Sequence, residues 1–131
     1  MGSTGLPEEE FRRLRQRILE QEALQAKKRE EKAWAEARAV ASWLREKYGV
    51  SQVYLYGSLA WGGFWEHSDI DLLVEGFPKE GDFWAMQAGA DRVGGPFPVS
   101  IVLEEDAVPS LREKAKTKGV KLLEPAWIPD S

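Results

Sequence analysis

Cysteine is absent from this sequence of 131 residues, and histidine occurs once, at His67. Without cysteine there is no disulfide framework, no thiolate nucleophile and no thiolate zinc site, and one imidazole cannot form a site that needs several. No apolar run approaches the roughly 18 to 20 residues of a membrane-spanning helix, and the polar start lacks the pattern of an export signal. We therefore expect a soluble, cytoplasmic protein with no membrane partner, in which any metal is held by oxygen ligands.

Basic residues are scarce in the middle of the chain. The net charge is -4, and between Gly49 and Asp91 the only base is Lys79, against seven acidic residues. Such a stretch repels phosphate unless a cation intervenes. Because affinity for long nucleic acid comes from basic residues that neutralise phosphates, we do not expect long nucleic acid as a partner.

The pattern of apolar residues predicts one domain of helices and strands. Residues 7–48 contain almost no helix breaker and begin with proline and three glutamates, which predicts either two helices or one bent one. Later apolar runs between glycines and prolines predict strands at 52–56, 70–74 and 97–103, helices at 82–92 and 110–118, and a short extended piece at 120–123. This order predicts an α/β or α+β fold with helices packed on a small sheet.

The first 32 residues form a helical extension of the domain, which we place at 33–124 and which is followed by a tail at 125–131. Phe11, Leu14 and Ile18 make an apolar stripe on this extension, and residues 27–32 are nearly all charged. Packing on its own domain is the expected role of this stripe, and a partner surface is the alternative.

Two short motifs in the strand region carry the chemistry. Gly57 and Ser58 follow an apolar strand and can begin a helical turn, where a glycine permits close approach and free amides attract phosphate. Asp69 and Asp71 flank Ile70, so on a strand both carboxylates point to one face, roughly 6 to 7 Å apart. Mg²⁺ takes one or two protein carboxylates together with phosphate oxygens. The two motifs on neighbouring strands could therefore hold a nucleoside triphosphate through its metal, although each motif alone is usually a plain turn or a solvated strand edge.

These residues resemble the signature of a known family. Gly57-Ser58, the following Ala60-x-Gly62, and the segment 68–74, which reads Ser-Asp-Ile-Asp-Leu-Leu-Val, are similar to the motif of the polymerase-β-like nucleotidyltransferases. The resemblance is to the small "minimal nucleotidyltransferase" branch in particular, and it covers roughly residues 34–124. It implies a nucleotidyltransferase fold with a small mixed sheet flanked by helices.

The resemblance also implies an activity and a site. The reaction would be transfer of a nucleoside monophosphate, with AMP from ATP as the expected case, to a hydroxyl of a protein or a small molecule. Asp69 and Asp71 would be the catalytic residues and would bind two Mg²⁺ ions. Gly57, Ser58 and Ser68 would bind the nucleotide, with the first two on the β and γ phosphates.

The chain departs from this family pattern at three positions. The branch usually has a third carboxylate where this sequence has Ser100, and there it helps bind one metal and activates the acceptor hydroxyl. Glu104 and Glu75 lie four residues further along their strands, about 13 Å away, so neither is a convincing substitute. Leu59 and Trp61 stand where relatives often place arginine near the phosphates.

These departures leave a second function open. The alternative is a catalytically weakened, antitoxin-like binding protein of a toxin–antitoxin module, which masks a helical HEPN-type partner. Ser100 and the helical extension favour it. A homo-oligomer is also open.

Other residues are weaker candidates for the site. His67 lies beside the aspartates and could assist proton transfer, but a lone loop histidine is most often merely exposed. Trp61, Phe64 and Trp65 could stack a base or contact a partner, and core cover is at least as plausible. The last helix is rich in bases that could neutralise a triphosphate or simply complement the helix dipole; they are Arg112, Lys114, Lys116, Lys118 and Lys121.

Overall fold

A computed structural model describes residues 7–124 of the chain. The first residues of the predicted extension, 1–6, and the predicted tail, 125–131, lie outside the described residues. The helices are α1 (Glu8–Tyr48), α2 (Ser58–Trp61), α3 (Phe83–Val93) and α4 (Pro109–Lys118). The strands are β1 (Gln52–Tyr56), β2 (Ile70–Glu75), β3 (Val99–Leu103) and β4 (Val120–Lys121), and a 3-10 turn follows β3 at Glu104–Asp106.

The four strands form one mixed sheet in the order β3-β2-β1-β4. β2 and β3 are parallel, whereas β1 is antiparallel to both β2 and β4. The predicted fold class, a small mixed sheet flanked by helices, is confirmed. The third strand begins two residues later than predicted, after Pro98, which has no N–H to donate to a strand ladder.

α1 is one uninterrupted helix of 41 residues, so the two-helix alternative is wrong. The charged stretch 27–32 does not break it, because lysine, arginine and glutamate are strong helix formers and no glycine or proline stands among them. The helix ends at Gly49, whose φ of 68° is left-handed and whose N–H donates to the Arg45 carbonyl at 2.9 Å. None of the helices in residues 7–124 is long and apolar enough to cross a membrane.

Only the last part of α1 packs on the domain. Its fully buried side chains begin at Ala33 and continue through Val40 to Leu44. Before Ala33, the side chains of Phe11 and Ile18 are 51% and 49% exposed. The expectation that the extension packs on its own domain is therefore wrong: a continuous helix carries these residues outward at 1.5 Å per residue, over about 36 Å.

The two faces of the sheet have different covers. Leu55, Leu72 and Val74 point into the main core, together with α1 and α3 residues. Tyr54 and Leu73 point to the other face, where α4 packs through Ala115. Because side chains alternate along a strand, Asp71 shares the α4 face with Leu73, and it lies one residue from the start of β2.

Candidate active site

The first motif lies where β1 ends against β2. Tyr56, the last residue of β1, pairs with Asp71 in the antiparallel ladder. Gly57 follows with a φ of 78°, which favours glycine, and α2 begins at Ser58. No side chain caps this short helix, and the first N–H groups of a helix have no intrahelical acceptor. The turn therefore presents backbone donors beside Asp71.

The carboxylate of Asp71 lies directly over the backbone of Gly57. A Cβ built on Gly57 would overlap Asp71 Oδ2 and would stand 3.1 Å from its Cγ. Only a residue without a side chain allows this approach. The structure thus brings together Gly57 and Asp71, two of the predicted site residues from separate motifs.

The pKa of Asp71 is raised to about 6, first because burial removes water from the charged form and second because of the negative charge of Asp69. Asp71 is half-buried, whereas Asp69 is exposed in the loop just before β2. Two neighbouring carboxylates, one of them half-buried, are unfavourable unless a cation compensates their charge. Their oxygen atoms are ligands that would suit a divalent ion.

Ser68 has a structural role in the loop that leads into β2. Its hydroxyl accepts a hydrogen bond from the Trp65 N–H at 2.8 Å, and its own N–H donates to the Trp65 carbonyl at 3.1 Å. These two bonds close the turn that delivers Asp69 to the start of the strand. A contact between Ser68 and a nucleotide stays a prediction.

Ser100 is the direct neighbour of Asp71 on the parallel strand β3. Matching residues on adjacent parallel strands project to the same face, about 4.8 Å apart at the backbone. Position 100 is therefore placed where a third carboxylate could reach the aspartate pair, and the residue there is a serine. Within residues 7–124, no group of three or more histidine, cysteine or carboxylate side chains could hold a metal ion.

Glu75 and Glu104 lie at the opposite end of the sheet and are engaged elsewhere. The ammonium of Lys116 contacts a Glu75 carboxylate oxygen at 2.9 Å and a Glu104 oxygen at 3.4 Å. Arg112 lies 3.8 Å from the same Glu104 oxygen. Two of the predicted phosphate-neutralising bases therefore serve this far cluster, and neither glutamate stands in for the missing carboxylate.

One basic residue of α4, Lys114, lies on the side of the helix near the candidate site. The Lys114 ammonium lies over the Trp61 ring, 4.7 Å from its centroid, and the Trp61 indole N–H donates to the Lys118 carbonyl at 2.8 Å. The ring of Trp61 in turn lies 6.4 Å from that of Tyr56. Burial and the negative charge of Asp71 raise the pKa of the Tyr56 phenol. Lys114, Trp61 and Tyr56 thus form a chain of contacts that ends beside Asp71.

The structure separates the other aromatic candidates. Phe64 is buried and packs edge-on against Phe97, with ring centroids 5.7 Å apart, so it belongs to the core. Trp65 is 73% exposed, and His67 is exposed in the adjoining turn. Leu59 is buried, so a charge at that position would point into the core, whereas Trp61 is 41% exposed.

Two residues that the sequence analysis did not select hold β3 in place. Gln87 donates to the Val99 carbonyl at 2.6 Å and accepts from the Ile101 N–H at 3.3 Å, while Asp91 accepts from the Val99 N–H at 3.0 Å. Both lie on α3, four residues apart, and bond the outer edge of β3. The signal in the sequence was their spacing of four residues, which places both polar side chains on one face of a helix. They fix the strand that carries Ser100.

The residues present fit Mg²⁺ held jointly with a ligand. Asp69 and Asp71 supply two carboxylates, and Mg²⁺ is commonly bound by one or two carboxylates plus substrate phosphates. The raised pKa of Asp71 shows that its negative charge is poorly compensated by the protein, and a bound cation would supply that compensation.

A mixed four-stranded sheet with a glycine-serine turn against an aspartate pair defines a nucleotidyltransferase domain. The family model described as "Polymerase beta, Nucleotidyltransferase" matches residues 39–126. That match spans well over half of the chain, and the protein belongs to this family. The chain is also similar to a protein described as a minimal nucleotidyltransferase: the two are 29% identical, and the match to its solved structure has a TM-score of 0.53 and covers 64% of this chain and 87% of that one. No curated protein matches this chain in sequence.

Proposed function

We propose that this protein binds a nucleoside triphosphate with Mg²⁺ and transfers the nucleoside monophosphate, AMP from ATP, to a hydroxyl of a protein or a small molecule. The observation that carries the proposal is the contact between Asp71 and Gly57. It joins a carboxylate suited to a metal with a turn suited to phosphate. Neither group alone would favour this ligand.

Different residues would bind different parts of the substrate. Asp69 and Asp71 would hold Mg²⁺, which when bound stabilises the charge that develops on the phosphates. The backbone N–H groups at the start of α2 and the Ser58 hydroxyl would donate to the β and γ phosphate oxygens. Lys114 would supply a positive charge near Trp61, in place of the arginine that relatives often carry there.

The reaction forms one bond to the α phosphorus and breaks one, and the acceptor hydroxyl loses its proton. The acceptor oxygen attacks the α phosphorus as the bond from that phosphorus to the β-bridging oxygen breaks, so pyrophosphate leaves with the bonding electrons. The hydroxyl proton must leave as well. Since Ser100 has no carboxylate to accept it, the proton passes to solvent, and we expect slow transfer.

The test is labelling of an acceptor by ATP with Mg²⁺. Asp69→Asn combined with Asp71→Asn is expected to abolish both labelling and metal-dependent ATP binding. The matched control changes the exposed pair Glu105→Gln and Asp106→Asn, at the other end of the sheet, and should leave both unchanged. ATP binding and labelling that survive the first double change would reject the site.

Ser100 supports a second candidate, a catalytically weakened binding protein that masks a helical HEPN-type partner. Ser100→Asp tests whether the missing carboxylate is what weakens transfer. Because position 100 neighbours Asp71, an added carboxylate could bind metal and accept the proton. A gain in transfer of about a hundredfold or more, within the range that general base catalysis contributes, would identify a weakened enzyme. Equal transfer in Ser100→Asp and the unchanged chain would count against that second candidate.

A further inference from the structure

The outer part of α1, residues 8–29, carries an apolar face that nothing in residues 7–124 covers. Phe11, Ile18 and Leu19 are 51%, 49% and 56% exposed. At 100° per residue they lie within about 100° of one another around the helix. Single exposed apolar residues are ordinary, but a shared helix face is typical of an interaction surface.

This face continues the side of α1 that packs on the domain. Counted around the helix, Ala33, Ala37 and Val40 fall within the same arc of about 100° as Phe11 and Ile18. These two alanines and the valine are fully buried. The same side of the helix therefore continues along its whole length, and its own domain covers only the last part. In the outer part, the apolar side chains alternate on this side with Glu8, Arg15, Glu22 and Arg29.

Charges on the outer segment alternate in blocks. Residues 8–10 are acidic, residues 12–17 contain four arginines, Glu20 and Glu22 are acidic, and residues 27–29 are basic. A second copy lying parallel and in register would place each block against itself. Like charges at close range are unfavourable.

An antiparallel second copy places opposite charges at the same height. With helix centres between Ile18 and Leu19, each residue faces the one for which the two numbers add to 37. Two charged pairs then lie within the arc that faces the partner, Glu8 with Arg29 and Arg15 with Glu22. Both pairs are of opposite sign, and the two-fold axis repeats each of them.

The same register matches side-chain sizes. Ile18 meets Leu19 at the centre, and the bulky Phe11 falls opposite Ala26. Large side chains opposite small ones allow two helices to approach closely. Arg15 Cζ lies 5.5 Å from the centroid of the Phe11 ring, so its stem extends the apolar seam.

The available length also fits. The partner helix begins at its Glu8, opposite Arg29, which is one turn before Ala33, where the domain begins to bury α1. The two Ala33 positions would then lie about 44 Å apart along the pair. The two domains would then stand at opposite ends of the pair.

We propose that the outer segment of α1 binds a second copy of this chain, antiparallel, through the register that pairs residue 8 with residue 29. This pairing is independent of the nucleotide site. Its occupant is another copy rather than an unrelated helical protein, because the segment is complementary in charge to itself.

The first test compares two identical substitutions on opposite sides of the helix. Ile18→Glu places a charge in the seam, whereas Leu24→Glu changes a residue that is 52% exposed on the far side. Sedimentation velocity of the full chain should show a dimer. Ile18→Glu should weaken dimerisation more than about tenfold, and Leu24→Glu should leave it unchanged.

The second test exchanges charges across the interface. Arg15→Glu and Glu22→Arg should each weaken the dimer, since each creates two like-charged pairs. The double variant restores opposite signs and should restore dimerisation. That rescue is expected only if residue 15 of one copy faces residue 22 of the other.

The third test measures the direction of pairing. Because the chain has no cysteine, one introduced thiol reports a single position. Mild oxidation should cross-link Ile18→Cys, which lies next to its counterpart at the two-fold axis. It should not cross-link Glu8→Cys, whose two copies lie about 31 Å apart in the antiparallel pair.

The following outcomes would overturn the proposal. A monomer at a chain concentration of 200 µM would exclude the second copy and leave a different partner or another segment of this chain as the cover. Equal dissociation by Leu24→Glu, failure of the charge exchange, or cross-linking at position 8 would exclude this face or this register.

Discussion

The Asp71 carboxylate occupies the space that a side chain on Gly57 would fill. This relationship brings the proposed metal-binding and phosphate-binding motifs to one point of the fold. The aspartate and the glycine are 14 positions apart in sequence and become neighbours because Tyr56 and Asp71 pair across β1 and β2.

Gly57→Ala is expected to remove nucleotide binding. The added Cβ overlaps the Asp71 carboxylate, and the φ of 78° disfavours any side chain. Gly62→Ala is the matched control, because Gly62 has a φ of 106° but nothing within 4 Å of its Cβ position. We expect backbone strain to lower the free energy of unfolding of both variants by about 1 to 3 kcal/mol. Calorimetric titration with ATP and Mg²⁺ should show loss of binding in Gly57→Ala alone; equal losses would mean that the overlap is unimportant.

Asp71 should make the metal-free protein less stable as pH rises. Its folded pKa of about 6 exceeds the ordinary value of 3.8, so the folded state holds the proton more tightly, and stability falls as pH increases from about 4 to about 6. Asp71→Asn should therefore be more stable than the unchanged chain at pH 7 with a chelator present, by about 1 to 2 kcal/mol after allowance for solvent screening.

Thermal unfolding between pH 4 and pH 8 tests the Asp71 prediction. The stability difference between Asp71→Asn and the unchanged chain should grow through the titration range and then level off. Mg²⁺ with ATP should raise the melting temperature of the unchanged chain above pH 6 and should not raise that of Asp71→Asn. A difference that does not vary with pH would contradict the assignment.

Lys114→Gln should weaken ATP binding without changing the fold. Lys114 is exposed and lies over the Trp61 ring, so its loss removes a charge and little packing. A surface charge contributes up to about 1 kcal/mol, which corresponds to about a fivefold loss of affinity. Titration at low and high salt should show the loss shrinking as salt rises. Lys79→Gln, an exposed base in the loop after the far end of β2, is the control and should bind ATP as the unchanged chain does.

Local sequence signals predicted most of the fold. β1 begins and ends where the apolar run and its flanking residues predict, and β2 extends the prediction by one residue. Strand and helix signals of this kind depend on neighbours along the chain. The 3-10 turn at Glu104–Asp106 was not predicted, because its carboxylates suit either a turn or a solvated strand end.

The sequence predicted the motif residues of the candidate site, but not the residues that hold them in place. Gly57, Ser58, Asp69 and Asp71 were selected from their residue types and spacing. Gln87 and Asp91 were missed, because their importance depends on which strand forms the edge of the sheet. The approach of Lys114 to Trp61 was missed for the same reason: it depends on where α4 crosses β1.

The sequence by itself determined that this chain forms a small sheet with flanking helices and carries a glycine-serine turn and an aspartate pair. Periodicity and turn chemistry act over a few residues, so they are present in the sequence alone. The tertiary structure decided that Asp71 lies on Gly57, that Ser100 stands beside Asp71, and that the first part of α1 projects away from its domain. These outcomes depend on strand register and on which helix faces the core leaves uncovered, and both arise from packing between segments far apart in the chain.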